Sequence, residues 1–96
     1  MTAVELCPKE LKSFQKPVID VEATGKRIKF LRESKNLSIK DLQSLFGFEY
    51  PQAIYLWESG KTLPSVDNLF TLSKLFEIDI SEILVDKNQG SEHKNY

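Results

Sequence analysis

Between residues 24 and 85 the sequence is cut into five short stretches of helical apolar spacing, each with its own start and stop residues. That punctuation constrains the fold more than any other feature of the chain. Thr24 is placed to cap a first helix with Ile28, Leu31 and Phe30 turned inward, and Asn36, which tolerates a left-handed conformation, ends it. Ser38, with Asp41 three residues on, approaches a capping box for a second helix, striped by Leu42, Leu45 and Phe46 and stopped by Gly47. Pro51 suits the first position of a third helix, where its missing N–H costs nothing; this helix runs to Ser59, with Gly60 as terminator. Ser65 caps a fourth helix carrying Val66, Leu69, Leu72, Leu75 and Phe76. Asp79 and Glu82 form the clearest capping box of the chain, ahead of Ile83, Leu84 and Val85. Short helices joined by short connections predict an all-α fold, a compact five-helix bundle.

The flanks read differently. Residues 1–23 are expected to form a flexible arm, with a transient helix over residues 9–14 and a short edge strand or lead-in at the β-branched residues 17–21. Residues 86–96 carry almost no apolar side chain, so burial cannot offset the entropy of ordering them, and a disordered tail is expected.

Composition excludes more than it selects. Ninety-six residues suffice for one domain and not for two with separate cores. The single histidine, His93, lies in the polar tail, and the single cysteine, Cys7, rules out an internal disulfide or a cysteine-rich zinc cluster. No Ser/His/Asp set, no phosphate-cradling glycine loop and no metal-spaced ligands occur, so neither an enzyme nor a cofactor is expected. With no membrane-length apolar run and no basic-then-apolar leader, the expected compartment is the cytoplasm. The net charge of -1 hides an asymmetry: residues 24–64 hold seven Lys and Arg against four acids, whereas residues 65–96 hold three against six. Such a swing suits a surface that faces phosphates on one side only.

The most informative unit is about residues 38–59: helix, glycine turn, helix, with Phe48 directly after the glycine. In such a unit the first helix braces the second, which is then free to lie in the major groove of DNA. Residues 25–85 resemble the Xre/Cro-type helix-turn-helix family of phage repressors, bacterial regulators and some antitoxins. The resemblance rests on Ile28-x-x-Leu31-Arg32, Leu37-Ser38-x-x-Asp41-Leu42, Gly47, Ile54-x-x-Trp57-Glu58-x-Gly60-Lys61, Pro64-Ser65, Leu69-x-x-Leu72 and Asp79-x-x-Glu82-Ile83-Leu84. It implies a five-helix fold that binds double-stranded DNA. One departure stands out: Gly47 and Gly60 enclose twelve residues, one more than the family's usual spacing, which places an inserted residue in the turn before Pro51.

Within the third helix, Ile54, Trp57 and Glu58 share one face, while Gln52, Tyr55, Leu56 and Ser59 share another. The resemblance implies that Glu58 pairs with Arg32 in a structural ion pair, the alternative being two solvated charges. The second face is the candidate base reader: Gln52 for adenine, Tyr55 for phosphate or sugar, and Leu56 for a thymine methyl. Candidate phosphate contacts are Ser38, Ile39 and Lys40 at the start of the second helix, and Lys61 and Thr62 after the third. So few cations argue for a homodimer, joined through Ile83, Leu84 and Val85 or through residues 17–21. The leading function is a sequence-specific transcriptional regulator, a repressor. Two other readings stay open: an antitoxin whose N-terminal arm folds on a toxin, and an interaction module that keeps the fold without binding DNA.

Overall fold

The computed structural model describes residues 13–88. The expected arm up to residue 12 and the tail beyond residue 88, with Cys7 and His93, lie outside the described residues. Five helices follow one another: α1 Val21–Ser34, α2 Ile39–Phe46, α3 Gln52–Glu58, α4 Val66–Phe76 and α5 Ile80–Ile83. Among the described residues there is no strand longer than the isolated antiparallel bridge Ile19↔Asp86.

Helix α1 starts three residues earlier than Thr24, at Val21, because Asp20 takes the cap: its Oδ1 accepts the Ala23 N–H at 2.9 Å. Thr24 is wholly buried instead, and its Oγ1 accepts the Val85 N–H at 2.9 Å. The Asp20 N–H donates to the Val85 carbonyl at 2.7 Å, and the Lys87 N–H donates to that of Val18 at 2.9 Å. The lead-in and the chain after α5 therefore hold one another, so Asp86, Lys87 and Asn88 continue the ordered structure past residue 85.

Local signals decide most of the remaining boundaries. Asn36 adopts φ 58° after α1, and Gly47 adopts φ 69° after α2. Ser38 and Asp41 form a complete capping box, with Ser38 Oγ accepting the Asp41 N–H at 3.0 Å and Asp41 Oδ2 accepting the Ser38 N–H at 2.9 Å. Ser65 caps α4 by accepting the Asn68 N–H. Pro51 stands one position before α3 and brings no side-chain cap. The expected Asp79–Glu82 capping box does not form. α5 is a single turn, and its approach is set from α4, where Ser73 Oγ donates to the Ile78 carbonyl at 2.5 Å.

Ile28, Leu42, Ile54, Trp57, Leu69, Leu72, Phe76 and Ile83 form one core that draws on every helix. Phe30, Leu45 and Val66, expected inward, are exposed instead. Each lies at the edge of its helix's apolar stripe, and the bundle closes on the stripe's centre. α1 packs most extensively on α3. Gly25 makes that contact possible, since a methyl group there would overlap the Trp57 carbonyl oxygen. Ile83 is completely buried in this core, which removes it from the expected dimer surface.

Candidate nucleic-acid interface

The unit from α2 to α3 is braced from within. After Gly47 the chain turns Phe48 back under the helix pair, where its ring centroid lies 5.2 Å from that of Phe46 and 5.9 Å from that of Trp57. Phe46 and Trp57 meet edge-on at 5.7 Å, an arrangement that favours contact between ring edge and ring face. With Ile54 fully buried and Trp57 nearly so, the inner face of α3 is locked. The longer turn adds Glu49 and Tyr50 as exposed residues ahead of Pro51.

Arg32 clamps α3 from α1. Its Nε donates to Glu58 Oε2 at 2.7 Å and its Nη2 to Glu58 Oε1 at 3.0 Å, the two-pronged geometry that a guanidinium offers a carboxylate. Its Nη1 donates to the Leu37 carbonyl at 2.8 Å, while the Leu37 N–H returns to the Arg32 carbonyl. The hydrogen bonds to Glu58 raise the Arg32 pKa above its already high ordinary value, so the cation persists throughout the physiological range. Both side chains are buried, at 8% and 9% exposure. The pair joins α1, the start of α2 and α3, and exposes no charge of its own for a ligand.

The outer face of α3 is open. Gln52, Tyr55, Leu56 and Ser59 are exposed along it, Tyr55 at 55% and Leu56 at 39%. Tyr55 and Ser59 line a shallow groove with Ile39 at the start of α2 and Lys29 on α1, so three helices meet at one surface. At that start of α2 the capping box occupies the Ser38 and Asp41 N–H groups, and the N–H groups of Ile39 and Lys40 project beyond it. The Ser38 N–H holds the Asp41 carboxyl below its usual pKa, with the serine hydroxyl bond adding to the effect. This acid therefore sits beside the dipole's positive end, and it narrows the room for an anion there relative to the sequence expectation. Lys61 and Thr62 are exposed after α3, their backbone N–H groups both donating to the Leu56 carbonyl at 3.0 and 3.3 Å.

Two participants escape sequence reading. Lys29 reaches the groove beside Tyr55. Gln43 uses its side-chain amide on the carbonyls of Phe48 and Glu49 in the turn. The i, i+4 pattern left Lys29 as one solvated lysine among several, and no short-range signal marks Gln43. Among the described residues there is no group of three possible metal ligands, and no helix is long and apolar enough to cross a membrane.

A short helix braced across a glycine turn against a second helix with a locked inner face and an open outer one defines the helix-turn-helix class. A family model described as helix-turn-helix matches residues 28–83, and the chain belongs to that family in its Xre/Cro-like form. Its function is DNA binding in transcription regulation. The fold is similar to that of the restriction-modification controller protein C.AhdI from Aeromonas hydrophila, with a TM-score of 0.59, 28% identity, and 67% of this chain and 96% of that one covered. It is also similar to the DNA-binding domain of BldD (TM-score 0.59, 16% identity, 69% and 94% covered). The S. venezulae BldD DNA-binding domain gives the same score and identity over 69% and 97% of the two chains. No curated protein matches the sequence significantly.

Proposed function

We propose that this chain is a sequence-specific repressor that binds duplex DNA as a homodimer in the cytoplasm, with α3 as its reading helix. The observation that carries this reading is the division of α3. Ile54, Trp57 and the Arg32–Glu58 clamp hold one face rigid, while Gln52, Tyr55 and Leu56 stand exposed on the other. Gln52, in the first turn of α3, offers an amide that can donate to N7 and N6 partners of adenine in a bidentate pattern. Leu56 supplies an apolar contact for a thymine methyl, and Tyr55 a hydroxyl for the backbone. Phosphates are held by the N–H groups of Ile39 and Lys40, the Ser38 hydroxyl, and the side chains of Lys40, Lys61 and Thr62. So small a set of cations gives modest, strongly salt-dependent affinity per subunit, and two subunits on half-sites about 34 Å apart supply the rest.

The exposure of Tyr50, Tyr55 and Leu56 together favours a second reading, in which this surface docks a protein partner such as a toxin. One experiment separates the two. A binding site is selected from random duplex DNA, and Gln52→Ala and Lys61→Ala are titrated against selected and scrambled duplexes at several salt concentrations. Gln52→Ala is expected to lose about 1–3 kcal/mol on the selected site and relax preference at one or two base pairs. Lys61→Ala is expected to weaken both duplexes alike and flatten the salt slope by about 0.9, the signature of one lost phosphate contact. If Gln52→Ala discriminates as the parent does, α3 is not reading through this face. If no site is selected at all, the docking reading takes its place.

A further inference from the structure

The start of α3 is the least capped helix terminus of the unit that reads DNA. Side-chain caps from Asp20, Ser38 and Ser65 fix the starts of α1, α2 and α4, but Pro51 gives α3 none. The preceding turn carries the extra residue, and both Glu49 and Tyr50 lie exposed in it. One polar side chain ties that turn down. Gln43 Nε2, on α2, lies 3.3 Å from the Phe48 carbonyl oxygen and 3.1 Å from that of Glu49. Both partners are acceptors only, so the amide must present its NH2 end to them, and its two protons serve the two carbonyls. The Gln43 carbonyl also accepts the Phe48 N–H at 3.0 Å, so one residue of α2 grips the turn through both backbone and side chain.

We propose that Gln43 is a positioning residue for DNA recognition: its amide sets the path of the lengthened turn, and through it the aim of the N-terminal end of α3. The inference rests on the reading of α3 given above. The buried anchors of α3, Ile54 and Trp57, both lie after Gln52, so a slack turn lets the N-terminal end move around them. Gln52 is the side chain displaced most, and a bidentate base contact tolerates little displacement. The Lys61 and Thr62 side, beyond the anchors, stays in place.

Gln43→Met keeps the length and removes the donors, and Gln43→Glu sets a carboxylate against two carbonyl oxygens. Both are titrated against the selected duplex, its single-base-pair variants and a scrambled duplex, below the unfolding temperature of each protein. The expected result is a loss of selectivity of about 10-fold or more, the scale of one bidentate contact, concentrated at the base pairs that Gln52→Ala relaxes. The salt slope is expected to match that of the parent, because no phosphate contact is lost. Parental selectivity in both variants, or equal weakening on every duplex, overturns the proposal. A DNA-free measurement separates this failure from failure of the reading itself. Amide residual dipolar couplings of free Gln43→Met are expected to show α3 realigned against the other helices, and an unchanged alignment overturns the positioning role whatever Gln52→Ala does.

Discussion

Replacing Arg32 by alanine removes three hydrogen bonds at once, two to Glu58 and one to the Leu37 carbonyl. The Glu58 carboxylate is then left at 9% exposure without its cation. Breaking a buried pair from one side costs about 3–5 kcal/mol. The Leu37 carbonyl, deprived of a donor, adds about 1 kcal/mol. Relief comes from the groove between Arg32, Glu58 and Tyr55, through which water reaches the carboxylate, so the lower end of the range applies. The expected loss is about 3 kcal/mol, a large part of the roughly 5–15 kcal/mol of a whole domain. For a chain of this size it lowers the melting temperature by about 15 °C. Trp57, the one tryptophan, is 3% exposed among aromatic rings, so its fluorescence reports urea unfolding directly. Arg32→Lys should fall between parent and alanine variant, since a compact ammonium cannot span both carboxylate oxygens and the Leu37 carbonyl. The double variant Arg32→Met/Glu58→Leu should regain much of the loss, because no charge is then left buried. An Arg32→Ala protein that unfolds within about 0.5 kcal/mol of the parent would refute the reasoning. So would a double variant no more stable than the single one.

Thr24→Val keeps the shape of the side chain and deprives the Val85 N–H of its acceptor; a loss of about 1–3 kcal/mol and faster amide exchange at Val85 are expected, and parental values for both would exclude the tie. The capping box makes a pH-dependent contribution. Asp41 has its carboxyl pKa lowered by folding, so its stabilisation is fully present above the unfolded value of about 3.9 and is lost as pH falls through the depressed folded value. The stability gap between parent and Asp41→Ala, measured by urea unfolding, should therefore persist near neutrality and close in acid.

Much of this architecture is legible along the chain because its signals act over three or four residues. Ser38 and Asp41 find each other across one turn, Asn36 and Gly47 need only their own φ, and Ile54 and Trp57 share a face by helical geometry alone. The pairing partner of Arg32 was legible through the family pattern, although the third bond, to Leu37, was not. The candidate reading face follows from the same periodicity: once Ile54 and Trp57 point inward, Gln52, Tyr55 and Leu56 must point out. Where two local solutions competed, only the packed chain chose between them. Asp20 displaced Thr24 as the cap of α1 because Val85, sixty-one residues beyond Thr24, comes back to use the threonine hydroxyl. Asp79 and Glu82 spell a capping box that the single turn of α5 does not use, its approach being fixed by Ser73 on α4. The side-chain grip of Gln43 on the turn exists only because Gly47 reverses the chain and brings two carbonyls to its amide. A hydrogen bond that closes within one turn is encoded where it forms, whereas one that joins distant segments exists only after burial has brought them together.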